Sequence, residues 1–241
     1  EYAHIPLIHG EDGSKLSKRH GSVNILDFKK NGYLKEAIIN NIILLGWSPG
    51  IKDEIINIKK IIELFKINKL SKSASIFSYK KLNFFNNYYL RCENGFNEFE
   101  FYCQNNDKLK ILFNKNKSKM KKIFQIYKKN LNNFAEMSDI VDLYFNNNFK
   151  INQSEQFSEE FNNFYKDFKD TILSIEEWNR ENIQKNIDNF LKTKNLKFPV
   201  LGKPIRFLLI NSFNGPSITD IFDILGKKDS IDRLNQYIEI N

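Results

Sequence analysis

Gly13-Ser14-Lys15-Leu16-Ser17-Lys18-Arg19-His20-Gly21-Ser22 is the stretch on which the reading of this chain turns. Lys15 and Lys18 flank Leu16-Ser17, and Gly10, Gly13 and Gly21 mark the segment as a loop rather than a helix. Glycine reaches backbone angles that strain other residues, so such a loop can close over a ligand. Two ammonium groups on a closing loop suit a polyphosphate. They can be held where negative charge develops and contribute most in the transition state. A basic, serine-containing surface loop is the bland alternative, and a K-x-S-K pattern alone does not separate the two. Upstream, Tyr2-Ala3-His4-Ile5-Pro6-Leu7-Ile8 reads as a short buried strand leaving a core. That strand delivers the loop to a sheet edge, where open α/β sheets bind ligands.

The 241 residues leave room for one large or several small domains. With 37 Lys+Arg against 29 Asp+Glu the formal charge is +8, a balance that suits a polyanionic partner. Residues 51–150 carry 19 basic and 10 acidic side chains, a local +9, so the remainder sums to −1. A basic middle between near-neutral ends is what a phosphate-tracking surface would show. A solvated, lysine-rich surface encoded by an AT-rich genome is the equal alternative, given the abundant Asn, Lys, Ile and Phe.

Several classes are excluded. Cys92 and Cys103 are the only cysteines and lie in no CxxC pattern, so two reduced thiols are expected. His4, His9 and His20 lack a neighbouring Cys or carboxylate set, so no metal site is expected. No apolar run approaches the roughly 18 to 20 residues that span a bilayer. The start, Glu1-Tyr2-Ala3, is no secretory signal. A chain opening on a strand without Met is expected to be a fragment whose other half lies upstream.

Beyond the loop the pattern is helical. Leu34, Ala37, Ile38, Ile42 and Leu45 recur at helical spacing until Gly46 and Pro49, and residues 55–65 predict a second helix. Residues 72–78 read as a polar turn, with Ser78 as N-cap of a helix over 79–90 that buries Leu82, Phe85 and Tyr89 and shows Lys80 and Lys81. Residues 95–107 read as a loop, lysines cluster over 108–129, and residues 131–145 predict another helix. Ser154 is expected to cap a helix whose stripe of Phe157, Phe161, Phe164, Tyr165 and Phe168 is core. Trp178, Ile183, Ile187 and Leu191 continue the pattern. Near the C-terminus, Gly202-Lys203-Pro204 opens a helix with proline in its first turn, where the missing N–H costs nothing. Asn214-Gly215-Pro216-Ser217 breaks it, and helices follow through Leu225 and Leu234. No stretch after residue 25 sustains apolar/polar alternation, so the fold class expected is mainly α.

The loop resembles the KMSKS loop of class I aminoacyl-tRNA synthetases, in a Lys-Leu-Ser-Lys-Arg form. Tyr33-Leu34-Lys35-Glu36-Ala37 and Leu44-Leu45-Gly46-Trp47-Ser48-Pro49 are similar to glutamyl-tRNA synthetases in particular, as are Ser73-Ala74-Ser75-Ile76-Phe77, Lys81-Leu82-Asn83 and the order of elements over 202–234. The resemblance implies four segments. Residues 1–24 would end a Rossmann-type α/β catalytic domain, 25–95 would form a helical stem-contact module, and 96–148 and 149–241 would be two helical parts of an anticodon-binding domain.

The implied reaction is ATP-dependent attachment of glutamate to tRNA(Glu) through glutamyl-adenylate. Lys15 and Lys18 are the implied catalytic residues, with Lys15, Ser17 and Lys18 binding ATP and Mg2+ arriving with the ATP. Arg206, Phe213, Gly215, Pro216 and Ile218 would lie against the anticodon. Arginine suits that task because it can stack on a base and bond its edge. A salt bridge from Arg206 to Asp220 or Asp223 is the structural alternative. One departure matters: Tyr127-Lys128-Lys129-Asn130 stands where many relatives carry an arginine said to sense the third anticodon base. Charging of tRNA(Gln) with glutamate therefore stays open.

The resemblance further implies a cytoplasmic monomer without membrane contact. The HIGH-type motif and glutamate pocket are absent, so this chain alone should not aminoacylate. A non-catalytic tRNA-binding module or degenerate paralogue is the alternative, although such a binder would not need the lysine loop. Glutaminyl-tRNA synthetase fits less well, because its anticodon domains are β-barrels.

Overall fold

The computed structural model describes residues 5–17, 19, 24–146, 148–152 and 155–240, with backbone alone for 238–240. Two short strands, β1 (Ile8–His9) and β2 (Ser75–Ile76), pair in parallel, with Ile8 opposite Ser75 and His9 opposite Ile76. The rest is helical: α1 (Ile25–Lys30), α2 (Lys35–Gly46), α3 (Ile58–Leu64), α4 (Tyr79–Arg91), α5 (Gly95–Gln104), α6 (Asp107–Lys115) and α7 (Lys117–Tyr127). These are followed by α8 (Glu136–Phe145), α9 (Glu159–Leu173), α10 (Arg180–Thr193), α11 (Phe198–Ile210), α12 (Ile218–Leu225) and α13 (Lys227–Ile240). The chain divides into two compact units, Glu1–Lys117 with Tyr127–Ser138 and Ser118–Ile126 with Asp139–Asn241.

Asparagine, abundant in the sequence, starts many of these helices. Asn24, Asn57, Asn106 and Asn179 accept from the backbone N–H of Leu26, Lys60, Leu109 and Asn182, and Ser158 and Ser217 do the same for α9 and α12. Each such cap satisfies an amide the helix leaves unpaired and contributes about 1 kcal/mol.

In the first unit α2 packs on α4, and buried asparagines tie loops to that pair. Asn86 accepts from Leu34 N at 2.8 Å and donates to Asn132 O at 2.6 Å. Asn40 donates to Glu54 O at 2.7 Å and accepts from Ile56 N at 2.9 Å. At Gly32 the chain turns with φ +77°, and a Cβ there would stand 2.5 Å from Phe134 Cβ. Phe134 N and Ala135 N donate to Gly32 O and Asn31 O at that crossing. In the second unit Phe161, Phe168, Ile183, Ile187, Ile221 and Phe222 are fully buried between α9, α10 and α12.

Several expectations are corrected. Of the strand expected over 2–8, Tyr2, Ala3 and His4 lie outside the described residues, and only Ile8 and His9 are strand. Ile5 and Leu7 are 66% and 58% exposed rather than buried, since among the described residues β1 has β2 as its one full strand neighbour. That partner, β2, lies inside the segment expected to be a polar turn. Residues 95–104 form α5 and not a loop: Phe99 and Cys103, one turn apart, are inward and fully buried. The helix expected from 131 begins at Glu136, because the amides of Phe134 and Ala135 are used in the Gly32 crossing. Ser158 caps α9, and Ser154 lies outside the described residues. Proline does stand in the first turn of α11, but it is Pro199; Pro204 sits inside the helix. Gly202 there makes room for the Phe198 ring, which a Cβ would approach to 2.5 Å.

The thiols differ sharply in surroundings. Cys92 is exposed, whereas Cys103 is buried and its pKa is pushed up to about 12, chiefly by that burial. Thiolate is the reactive form. A thiol reagent at pH 8 should therefore label one cysteine quickly in the native chain and the second only on unfolding. Equal native rates at both positions, read by peptide mapping, would contradict the packing around α5.

Candidate nucleotide and nucleic-acid sites

The lysine loop leaves the end of β1 and folds back on it. Gly13, with φ +76°, closes a turn in which Gly10 N donates to Ser14 O at 2.8 Å and Gly13 N to Gly10 O at 3.0 Å. Leu16 N then donates to Ile8 O at 2.9 Å, and Lys15 bridges antiparallel to His9. Lys15 is thus held, exposed, beside the strand end. Asp12 steadies the turn, accepting from Ser14 N and Oγ at 3.0 and 2.8 Å and pairing with Arg19 at 3.7 Å. Ser17 is half-buried after this turn. Lys18 lies outside the described residues. Among the described residues no three His, Cys, Asp or Glu side chains gather as metal ligands, and no helix is long and apolar enough to cross a membrane.

The C-terminal turn lies in the second unit. α11 ends on Asn211 in the left-handed region, and Asn211 is clamped by Lys150 O and Asn152 N at 2.8 and 3.0 Å. Ser217 then starts α12: its Oγ accepts from Asp220 N at 3.1 Å and donates to the Asp220 carboxylate at 2.6 Å. Arg206 reaches from α11 into the loop between, its Nε donating to Pro216 O and its Nη1 to Phe213 O, both at 2.8 Å. Asp220 pairs with Arg180 at 2.8 Å, which raises the pKa of that guanidinium.

The residues expected at the anticodon therefore have distinct places. Phe213 is half-exposed and stacks on Phe207 at 4.7 Å, Gly215 is exposed, and Pro216 is half-exposed. Arg206 is the strut of the turn. The Ile218 side chain is fully buried at the start of α12. The basic middle is partly spent inside the protein: Lys117 pairs with Glu100, Lys119 with Asp229 and Lys122 with Asp223 at 2.6, 3.4 and 2.8 Å. Residue spacing did not reveal the Arg180–Asp220 pair, because its partners are far apart in sequence.

The chain thus joins a lysine loop at a strand end to an array of helices in which a braced, partly exposed turn separates α11 from α12. Residues 97–238 match the family described as "Anticodon binding domain", and residues 1–84 match "tRNA synthetases class I (E and Q), catalytic domain". The chain is 31% identical to a glutamate–tRNA ligase of Nitrosomonas europaea, over 100% of this chain and 52% of that one. It is 34% identical to that of Mycoplasma mycoides, over 98% and 50%. A crystal structure of a glutamate–tRNA ligase from Elizabethkingia meningosepticum in complex with its amino acid matches with a TM-score of 0.82 at 26% identity, covering 99% of this chain and 51% of that one. The chain belongs to the glutamate–tRNA ligase family of class I aminoacyl-tRNA synthetases. It spans about half the length of the curated relatives it matches.

Arg206→Ala should cost the second unit about 1 to 3 kcal/mol, since it strips the donors from two carbonyls of the turn. Arg206→Lys should recover little of this, because one ammonium cannot reproduce the planar fork. Chemical denaturation of the three proteins checks it; full recovery by lysine would mean the fork geometry is idle.

Proposed function

We propose that this chain serves in the ATP-dependent attachment of glutamate to tRNA(Glu) through glutamyl-adenylate. It would act with the additional half that its relatives possess. The observation that carries the reading is the joining, in one chain, of a lysine loop held at the end of β1 to a segment matching an anticodon binding domain. In this reading Lys15 and Lys18 stabilise charge on the ATP phosphates, with Ser17 contacting them, and the reacting glutamate lies outside this chain. Mg2+ accompanies the ATP; among the described residues no three His, Cys, Asp or Glu side chains gather as metal ligands.

Glutamate attacks the α-phosphate and pyrophosphate leaves; a terminal ribose hydroxyl of the tRNA then takes the glutamyl group and AMP leaves. At the other end the turn over 213–217 faces the anticodon, shaped by Arg206 from behind. Substrate range extends to tRNA(Gln) if the arginine-free stretch 127–130 does not discriminate. The protein works as a cytoplasmic monomer, and this chain alone binds tRNA without charging it.

Two measurements test this. In the protein carrying both halves, Lys18→Ala should slow glutamate-dependent pyrophosphate exchange roughly 100-fold, the scale lost with one preorganised donor. Normal exchange would remove Lys18 from the mechanism. The 241-residue chain by itself should bind tRNA(Glu) with an affinity that falls steeply with salt; five phosphate contacts correspond to a log–log slope of about −4. A flat salt response, or no binding, would count against an RNA surface on this chain.

A further inference from the structure

Asn-Gly occurs three times in the chain, at Asn31-Gly32, Asn94-Gly95 and Asn214-Gly215. In such a pair the glycine nitrogen can attack the asparagine side-chain carbon, because no Cβ on the second residue screens the approach. The attack needs a glycine N–H that is not already bonded and a backbone with room to turn. Folding withholds both at two of the three places. Gly32 is buried where it passes Phe134, and its N–H donates to Lys29 O at 3.0 Å. Gly95 is buried in the first turn of α5, and its N–H donates to Cys92 O at 2.9 Å. The Asn94 side chain is held as well, donating to Glu98 Oε1 at 3.1 Å and accepting from Asn97 at 2.9 Å.

The third pair is arranged in the opposite way. Asn214 and Gly215 are both exposed, and Gly215 has φ +142°. Among the described residues neither the Asn214 side-chain amide nor the Gly215 N–H has a hydrogen-bond partner. What is held is the main chain around them. Ser212 Oγ accepts from Asn214 N at 3.2 Å and donates to Asn214 O at 2.8 Å. Arg206 grips Phe213 O and Pro216 O on either side of the dipeptide. A donor on Asn214 O polarises the peptide group that joins it to Gly215 and makes that N–H more acidic. The turn therefore fixes the flanks of the pair and leaves its reacting atoms open.

We propose that Asn214-Gly215 is a self-modification site whose carboxylate product weakens RNA binding at the turn between α11 and α12. Hydroxide takes the Gly215 N–H proton, the nitrogen bonds to Asn214 Cγ, and Nδ2 leaves as ammonia, closing a succinimide. Water then opens the ring. Cleavage of the bond from Cγ to nitrogen leaves aspartate. Cleavage of the bond from the main-chain carbonyl carbon leaves isoaspartate, whose backbone runs through Cγ and is one methylene longer. No oxidant or reductant is needed. Either product sets a negative charge in the turn, and isoaspartate also lengthens the chain between the two carbonyls that Arg206 holds. The effect on RNA rests on the tRNA reading above; the ring chemistry does not.

The test incubates the 241-residue chain folded at pH 7 and pH 8, and again in denaturant. The three Asn-Gly peptides are followed by mass and by an aspartate-specific protease, which cuts at aspartate and passes over isoaspartate. In the folded chain Asn214 should convert roughly tenfold or more faster than Asn31 or Asn94, whose glycine amides react only after local opening. Its rate should rise about tenfold from pH 7 to pH 8, since the attacking nitrogen anion grows with hydroxide. In denaturant the three rates should converge. Asn214→Gln should abolish conversion there, because the larger ring closes far more slowly. Equal rates at all three pairs in the folded chain, or none at Asn214, overturn the proposal. The converted chain, separated by its added charge, should bind tRNA(Glu) about tenfold more weakly than the unconverted chain, the scale of one lost base contact. Equal affinity of the two forms also overturns it. Absence of tRNA binding by the unconverted chain would sink the broader reading instead, a result distinct from any outcome of the peptide rates.

Discussion

Arg233 on α13 is only 3% exposed, lies 3.9 Å over the ring of Phe149, and donates to the carbonyls of Leu209 and Leu143. Those carbonyls belong to the last turns of α11 and α8, where a helix leaves its C=O groups unpaired and the negative end of its dipole gathers. A single cation thus closes two helix ends that would otherwise be buried unsatisfied. Burial lowers its pKa to about 10, which still leaves it charged at neutral pH. Since α11 runs directly into the turn at 212–217, the group that secures the end of α11 also decides where that turn begins. Arg206 then shapes it from inside. The turn is built on two guanidiniums, one securing the helix end and one bonded to the turn's own carbonyls.

The first unit relies on neutral groups for the same kind of work. Asn86 and Asn40 each link separate segments to the packed pair α2 and α4, and Asn87 binds the 128–131 carbonyls. An asparagine side chain both donates and accepts, so it can replace backbone partners wherever a loop crosses a helix. Composition that reads as a genomic bias therefore also supplies caps and staples. The Gly32 crossing adds a constraint of another sort, since only a residue without Cβ can pass Phe134 so closely.

Charge has two fates in this protein. Lys81, Lys117, Lys119 and Lys122 are matched by carboxylates of their own unit, and the exposed pairs among them, those of Lys81 and Lys117, contribute little to stability. Lys15, Lys80 and Lys129 instead stand exposed beside a strand end or the exposed Phe84. Net charge of +8 describes the sum but not this division, and it is the second group that a polyanion can use.

The helices were legible from the chain because 3.6-residue periodicity and capping are local: α2, α9, α10 and α12 lie close to where the apolar spacing puts them. The lysine loop was legible for a similar reason, since glycine spacing and two lysines are read within ten residues. Gly95 looked like a stop and instead begins α5, because Phe99 and Cys103 found a core that no local pattern announces. The start of α8 was set by amides used at Gly32, far away in sequence. That Arg206 bonds the carbonyls of its own turn is likewise set by packing and not by local spacing. Sidedness decided the rest: Phe84 and Phe85 are identical as residues, and one is core while the other is surface. Local spacing determines which elements form; the assignment of each side chain to core, brace or ligand face is made by neighbours distant along the chain, and it exists only once they have packed.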